Sequence, residues 1–533
     1  MKKRFSALTV CVLCAFALIV GTKINVISGD SIYEQLTKFK DVVSLTEKVY
    51  VDTVDSGKLV ENAIVGMLSH LDPHSVYIPA SQLKKINEDF QGNFEGIGVE
   101  FDVVNDTILI VSPVTGGPSE ALGIKAGDRI VKINDSSAIG ITRDDVPKKL
   151  RGPKGTHVKV SIYRTGEKDL FEYDIVRDKI PLYSVDVSFM VNDEVGYISI
   201  NRFSATTHDE FISAIGKLQS KGMKKLVIDL RGNPGGYLDQ AYKMADEILP
   251  AGKKVVYTIG RRPEFNEEYI SGGGGKLANV PIIVLVDHGS ASASEIVSGA
   301  VQDWDRGLIV GVTSFGKGLV QRQFELQDKS AIRLTIAKYY TPSGRCIQRP
   351  YGKDIESYER EAFDRDETEG ENVEHKNESD SGRTVYKTAA GRKVYGGGGI
   401  TPDYIVKADK LTPFTAALLR KNLFLDVVTT FMEANSASMK AKYGADVRKF
   451  EGDYAVDDDL VKKLTDLAAK KDVKMNDEEF KKDLQHIKIY LKAYVARSIW
   501  GTEGWRMVFH SMDSQFQKAL TLFPEAQKLA RLH

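Results

Sequence analysis

Cysteine is nearly missing from this chain: there are three in 533 residues, and two of them, Cys11 and Cys14, sit in a single apolar segment at the N-terminus. Only Cys346 lies beyond it, so the remainder closes no internal disulfide and must be stabilised by its cores alone. Excess charge of either sign is also lacking. The 73 basic residues are matched by 73 acidic ones, which gives no electrostatic footprint for a nucleic-acid partner. The nine histidines are scattered, with one His-x-x-x-His pair, His70 and His74, that falls across an Asp-Pro break, and Cys346 has no ligand types near it, so neither a metal nor another cofactor is expected. Internal repeats are absent. A chain this long exceeds one core and is expected to divide into several domains.

What is present begins with an address. Met1-Lys-Lys-Arg4 is a basic start, and Phe5–Gly21 carries no charge, the pattern of a secretory signal peptide or an uncleaved membrane anchor. Residues 1–28 are therefore read as an export segment, leaning towards an anchor because no convincing cleavage site follows the apolar run. The expected location is a bacterial-type cell envelope, periplasmic, with the inner membrane as the site of anchoring.

Apolar residues at helical spacing, Leu36, Phe39, Val43, Leu45 and Val49, then Leu59, Ala63, Ile64, Met67 and Leu68, predict a helical domain over 29–90. Within it Asp72-Pro-His-Ser75 is a turn, and His74 and Ser75 are read as turn residues rather than catalytic ones. From 91 to 178 short β-rich segments punctuated by glycine and proline take over. From 179 to 410 strand-like and helical segments alternate, which predicts an α/β domain with helices against a sheet. A polar insertion at 352–383 interrupts it, with too little apolar content to order itself, and is expected to be a mobile surface loop. Residues 411–533 read as a C-terminal helical domain. The whole is a multidomain α+β chain.

Chemistry concentrates in Ser290-Ala-Ser292-Ala-Ser294-Glu295 and Ser314-Phe-Gly-Lys317-Gly-Leu-Val-Gln321. The apolar run Pro281–Val286 before the serines predicts a buried strand, and the residues after them a helix, so the serines fall at a strand-to-helix turn where free N–H groups can stabilise an oxyanion. Serine needs a base to take its proton, and a lysine serves only if desolvation lowers its pKa from about 10.4. Lys317, in a glycine loop beside apolar residues, is placed for that. Gln321, four residues on, shares a face with it if the segment is extended. The residues alone do not choose among Ser290, Ser292 and Ser294, each of which also suits a helix start. Asp287-His288 offers a conventional triad as a rival, but His288 is too close in sequence to reach Ser292 readily and is expected to make a local hydrogen bond.

The order Gly96-Ile97-Gly98-Val99, Pro118-Ser-Glu-Ala-Leu-Gly-Ile-Lys-Ala-Gly-Asp128 and Leu150-Arg-Gly-Pro-Lys-Gly-Thr156 resembles a PDZ domain. With the serine run, Phe315-Gly-Lys-Gly318 and Asp229-Leu-Arg-Gly-Asn-Pro-Gly-Gly236, the chain is similar to the carboxyl-terminal processing peptidases, or tail-specific proteases, over about Asp72 to Asp403. That resemblance implies a crotonase-like serine peptidase core. It implies Ser292 as nucleophile, Lys317 as general base and Gln321 as its support. It also implies an oxyanion hole from the N–H of Ala293 and of Gly235 or Gly236, and Gly96, Ile97, Gly98 and Val99 as the loop for a peptide's terminal carboxylate. The implied activity is an exported endopeptidase acting on envelope proteins held by their C-terminal tails, and the implied assembly a homo-oligomer. The alternative is a catalytically silent scaffold that binds C-termini.

Overall fold

The computed structural model describes residues 32–352, 354–365, 367–375 and 382–532. Residues 1–28, expected to be an export segment, lie outside them, as do parts of the polar insertion. No helix among the described residues is long and apolar enough to cross a membrane.

The chain separates into a unit ending at Tyr77 and one beginning at Ile78. In the first, Ile32–Val49 and Ser56–Ser69 are helical, the second capped by Asp55, whose carboxylate accepts from the Lys58 N–H at 3.1 Å. The apolar stripe that predicted the first helix is exposed, Leu36, Phe39, Leu45 and Val49 included, and the helix buries no residue. Asp72-Pro-His-Ser75 is the expected turn: the Asp72 carboxylate accepts from the His74 N–H, the Ser75 N–H and the Ser75 hydroxyl.

In the second unit a β-rich module is ordered Val99–Val104, Thr107–Pro113, Arg129–Ile133, His157–Tyr163, Phe171–Val176, with the helix Val146–Leu150 packed through Val146 and Leu150. Asn105 and Asp106 both take positive φ, which closes the first hairpin in two residues. Val99–Val104 is an edge strand, paired on one side only among the described residues.

The α/β core holds seven strands in the order Val185–Met190, Val195–Ile200, Lys225–Asp229, Ile282–Val286, Leu308–Gly311, Tyr404–Ile405, Gly370–Glu371; the five from Val195 to Tyr404 are parallel. All five residues of Ile282–Val286 are buried, because both faces of a parallel sheet are covered. Side chains alternate between the faces. Leu226, Ile228, Val284 and Val286 join Phe211, Ile215, Met244, Ile296 and Val297 from the helices Thr207–Ser220, Leu238–Asp246 and Ala293–Asp303. Val227, Ile283, Leu285 and Val310 face Phe516, Leu522 and Phe523.

Three features differ from the sequence reading. Lys254–Gly260 does not join the core sheet; it pairs with Glu268–Ile270 and with Ala331–Tyr340 in a separate antiparallel sheet. Helices from Pro413 to Phe509 share one apolar cluster, but Ser514–Thr521 and Phe523–Leu529 leave it to cover the second face of the core, where the inward side chains of the sheet require a partner. In the insertion, Ile355–Phe363 is a helix with Tyr358 and Ala362 buried, so this part is not the mobile loop that its polar composition suggested. Two apolar residues on one helical face suffice once neighbouring structure offers them a groove.

Candidate active site

The strand Ile282–Val286 feeds a turn that ends at Ser292, the residue preceding the helix Ala293–Asp303. Ser292 has φ 54° and ψ −109°, outside the regions a serine ordinarily occupies, and such strain is held only where surroundings over-determine it. The neighbouring serines supply part of that frame. Ser290 is fully buried, its hydroxyl donating to Leu230 O at 2.8 Å and accepting from the Asp287 N–H; Ser294 is fully buried and donates to Asn233 O at 3.0 Å. Ser292 alone of the three is half-exposed. Burial thus separates the serines where residue type did not.

The Asn-Pro-Gly-Gly turn is pressed against this one. Asn233 is fully buried, its side-chain amide donating to Ile200 O at 2.8 Å and its amide oxygen accepting from the Gly235 N–H at 2.8 Å; the Ala291 N–H donates to Asn233 O at 3.0 Å. Gly235 has φ 97°, and a Cβ there would lie 2.7 Å from Ala291 O and 2.9 Å from Ala293 N. Gly236 has φ 148°, and a Cβ there would meet Phe203 O at 2.1 Å. Both glycines are required by close backbone approach, not by the turn alone. The Gly235 N–H is occupied by Asn233. The N–H groups of Ala293 and Gly236 make no hydrogen bond among the described residues.

Lys317 lies just before the hairpin that pairs Leu319–Glu325 with Ala331–Tyr340, whose register slips between Val320 and Gln321. Its Nζ donates to Gln321 Oε1 at 2.9 Å, the contact expected from their spacing, and Lys317 is half-buried.

Glu295 joins the two halves. Its carboxylate, fully buried, accepts from the Ser292 N–H at 2.8 Å, the Ser314 hydroxyl at 2.5 Å, the Gly316 N–H at 2.7 Å and the Lys317 N–H at 2.9 Å. Burial pushes its carboxyl up from the ordinary glutamate value, against the pull of these four donors. The sequence reading gave Glu295 no role. A signal existed: Ser-x-x-Glu at a helix start is the pattern in which the glutamate reaches back to the cap residue's N–H. Tyr339, also missed, is buried and donates from its hydroxyl to Ser292 O at 3.1 Å.

His288 stands apart from this set. Its Nδ1 is 2.9 Å from Thr313 O, a partner 25 residues away rather than the local one expected, and its ring packs edge-on against Phe363. Asp287 Oδ1 accepts from Gly232 N and Gly289 N, so the aspartate is spent on the turn.

In the β-rich module, Gly96 ends the strand Asn93–Gly96 and Val99 begins the edge strand. The carbonyl of Ile97 accepts from the Ser119 N–H and hydroxyl and that of Gly98 from the Val114 N–H, while the N–H groups of Ile97 and Gly98 make no hydrogen bond among the described residues. Gly98 sits at φ 73°.

A buried parallel sheet with a strained serine at its strand-to-helix turn, joined to a module with an open strand edge, defines a serine-type peptidase with a PDZ domain. Models of known families agree: peptidase family S41 matches residues 194–357, a PDZ domain 96–175, the activating protease CtpB N-terminal domain 21–81, and a family of unknown function 414–501. The chain is 40% identical over 340 residues to the carboxy-terminal-processing protease of Bartonella bacilliformis, covering 63% of this chain and 78% of that one. It is 37% identical over 332 residues to the carboxy-terminal processing protease CtpA of Bacillus subtilis, covering 62% and 70%. The chain belongs to the carboxy-terminal processing protease family.

Proposed function

We propose that Ser292 is the nucleophile, Lys317 the general base and Gln321 the residue that holds the lysine amine, in an exported endopeptidase that takes proteins by their C-terminal tails. The observation that carries the dyad is the Glu295 carboxylate, which ties the backbone of Ser292 to that of Lys317 while Lys317 Nζ is held on Gln321.

Lys317 takes the hydroxyl proton as Ser292 Oγ attacks the scissile carbonyl carbon. The oxyanion that forms is stabilised by the Ala293 N–H and by the Gly236 N–H, the glycine of the pair whose N–H is not spent on Asn233. The C–N bond then breaks, the leaving amine receives the proton from Lys317, and the acyl group stays on Ser292 as an ester. Water attacks the ester with Lys317 again as base, which releases the acid and restores the hydroxyl. The free N–H groups of Ile97 and Gly98 suit a terminal carboxylate, and the edge Val99–Val104 suits an added peptide strand. The basic start and uncharged Phe5–Gly21 support export, membrane attachment at the N-terminus and envelope proteins as substrates.

The test is cleavage of casein by wild type, Ser292→Ala, Lys317→Ala and His288→Ala. Loss in the first two variants, with His288→Ala within about twofold of wild type, is expected. An active Lys317→Ala beside an inactive His288→Ala would overturn the dyad.

A further inference from the structure

The loop that carries Lys317 is not held by the core alone. Gly316 O accepts from the Arg349 N–H at 3.1 Å, and Arg349, a residue 2% exposed, places its guanidinium carbon 4.3 Å from the Phe315 ring centre and 3.7 Å from that of Tyr358. Tyr358 belongs to the helix Ile355–Phe363 of the polar insertion. On the other side of Lys317 the Gly318 N–H donates to Gln348 Oε1 at 2.9 Å, and the Gln348 amide in turn donates to the Tyr358 hydroxyl at 3.0 Å. Arg365 donates from one Nη1 to Ser314 O and to Gly398 O, both at 3.0 Å, while Nε and Nη2 grip the Glu361 carboxylate at 3.0 and 3.1 Å. That same carboxylate accepts from Arg349 at 2.5 Å. Glu367 closes the set by accepting from the Thr313 N–H at 3.1 Å.

We propose that the insertion is a brace for the general base, with Arg365 and Tyr358 as positioning residues that fix Lys317 through the backbone on both of its sides. The inference rests on the reading of Lys317 as base. A polar helix with only two buried residues, Tyr358 and Ala362, gains little from its own packing, so the ordered contacts around it are spent on the loop. Fixing Ser314, Gly316 and Gly318 sets where the lysine backbone lies, and a displacement on the order of 1 Å there is enough to lower turnover about a hundredfold without altering which tails are bound.

Casein cleavage by Arg365→Ala, Arg365→Lys and Tyr358→Phe, with Lys317→Ala as the reference, tests this, together with backbone hydrogen exchange over 314–318 and the melting temperature. Arg365→Ala is expected to lower kcat at least about tenfold with KM within about twofold. Exchange at 314–318 should quicken while the melting temperature holds, and Arg365→Lys, which retains a donor for the two carbonyls, should recover part of kcat. Unchanged kcat and exchange in Arg365→Ala, beside an inactive Lys317→Ala, would overturn the brace and leave the base standing. An active Lys317→Ala would instead remove the base assignment and the brace with it. Should Arg365→Ala fail to fold, Tyr358→Phe carries the test: it removes the hydroxyl that accepts from the Gln348 amide and keeps the ring, and unchanged kcat and exchange there would overturn the proposal.

Discussion

The serine turn and the lysine loop, although joined by one carboxylate, are built in different ways. The serine turn is packed by its own neighbourhood: Ser290 and Ser294 are buried on either side, Asn233 reaches Ile200, Gly235 and Ala291, and backbone approaches backbone so closely that no side chain fits at Gly235. The lysine loop is supported from a distance, by Gln348, Arg349, Arg365 and the glycine return ending in Ile400, whose N–H donates to the Ser314 hydroxyl at 2.7 Å. A serine held in a strained conformation is set by dense local packing. A lysine placed beside it is set by a hydrogen-bonded frame, and frames of that kind can draw on segments added later in the chain.

The strongest break removes either of the two groups proposed to react. Ser292→Ala and Lys317→Ala should each lower kcat by at least about a thousandfold, measured as new amino termini released from casein, with melting temperature unchanged. Next comes the packed side. Gly235→Ala places a methyl against Ala291 O and Ala293 N at a backbone angle alanine rarely adopts, and should cost about a hundredfold in kcat together with about 2 kcal/mol or more of stability in denaturant melts. Glu295→Gln tests the link between the halves. Its amide would set donor against donor at one of four N–H or O–H groups, and kcat should fall about tenfold to a hundredfold. Gln321→Ala should have the smallest effect on turnover, about tenfold, because the amine loses one acceptor but keeps its backbone position.

A pH prediction sharpens the contrast from behind the serine side. Asp229, at the end of the strand that leads into Asn-Pro-Gly-Gly, receives Arg231 on both oxygens, and Arg231 also grips Asp513 from the C-terminal segment. Against a burial cost that would raise it, Arg231 holds the Asp229 carboxyl down to about 2. A carboxyl depressed in the folded state binds its proton later than in the unfolded chain, so this stabilisation is present above the ordinary aspartate value of 3.8 and is lost as pH falls towards 2. Asp229→Asn should therefore destabilise clearly at neutral pH, and the gap from wild type in urea melts should shrink below about pH 4.

Much of the site was legible beforehand because it depends on short-range pattern. Lys317 and Gln321 are four residues apart, and an extended chain puts them on one face whatever surrounds it. The buried strand before the serines showed as an uninterrupted apolar run. Choosing Ser292 over its neighbours was not legible by residue type, since all three suit a helix start and only burial separates them. Glu295 carried a local signature that went unused. Arg349 and Arg365 carried none, because nothing in a charged stretch says which arginine will meet a carbonyl 51 residues away.

By itself the sequence determined the order of modules, an α/β core with apolar strands, and the residue types available for acyl transfer, since periodicity and spacing are local properties of the chain. Only the tertiary structure decided which serine is accessible, which glycine N–H remains free, that the last two helices belong to the core sheet, and that part of a polar insertion stands behind the lysine. Each of these depends on which surfaces meet, and that is fixed by the burial of many distant residues at once rather than by any one segment.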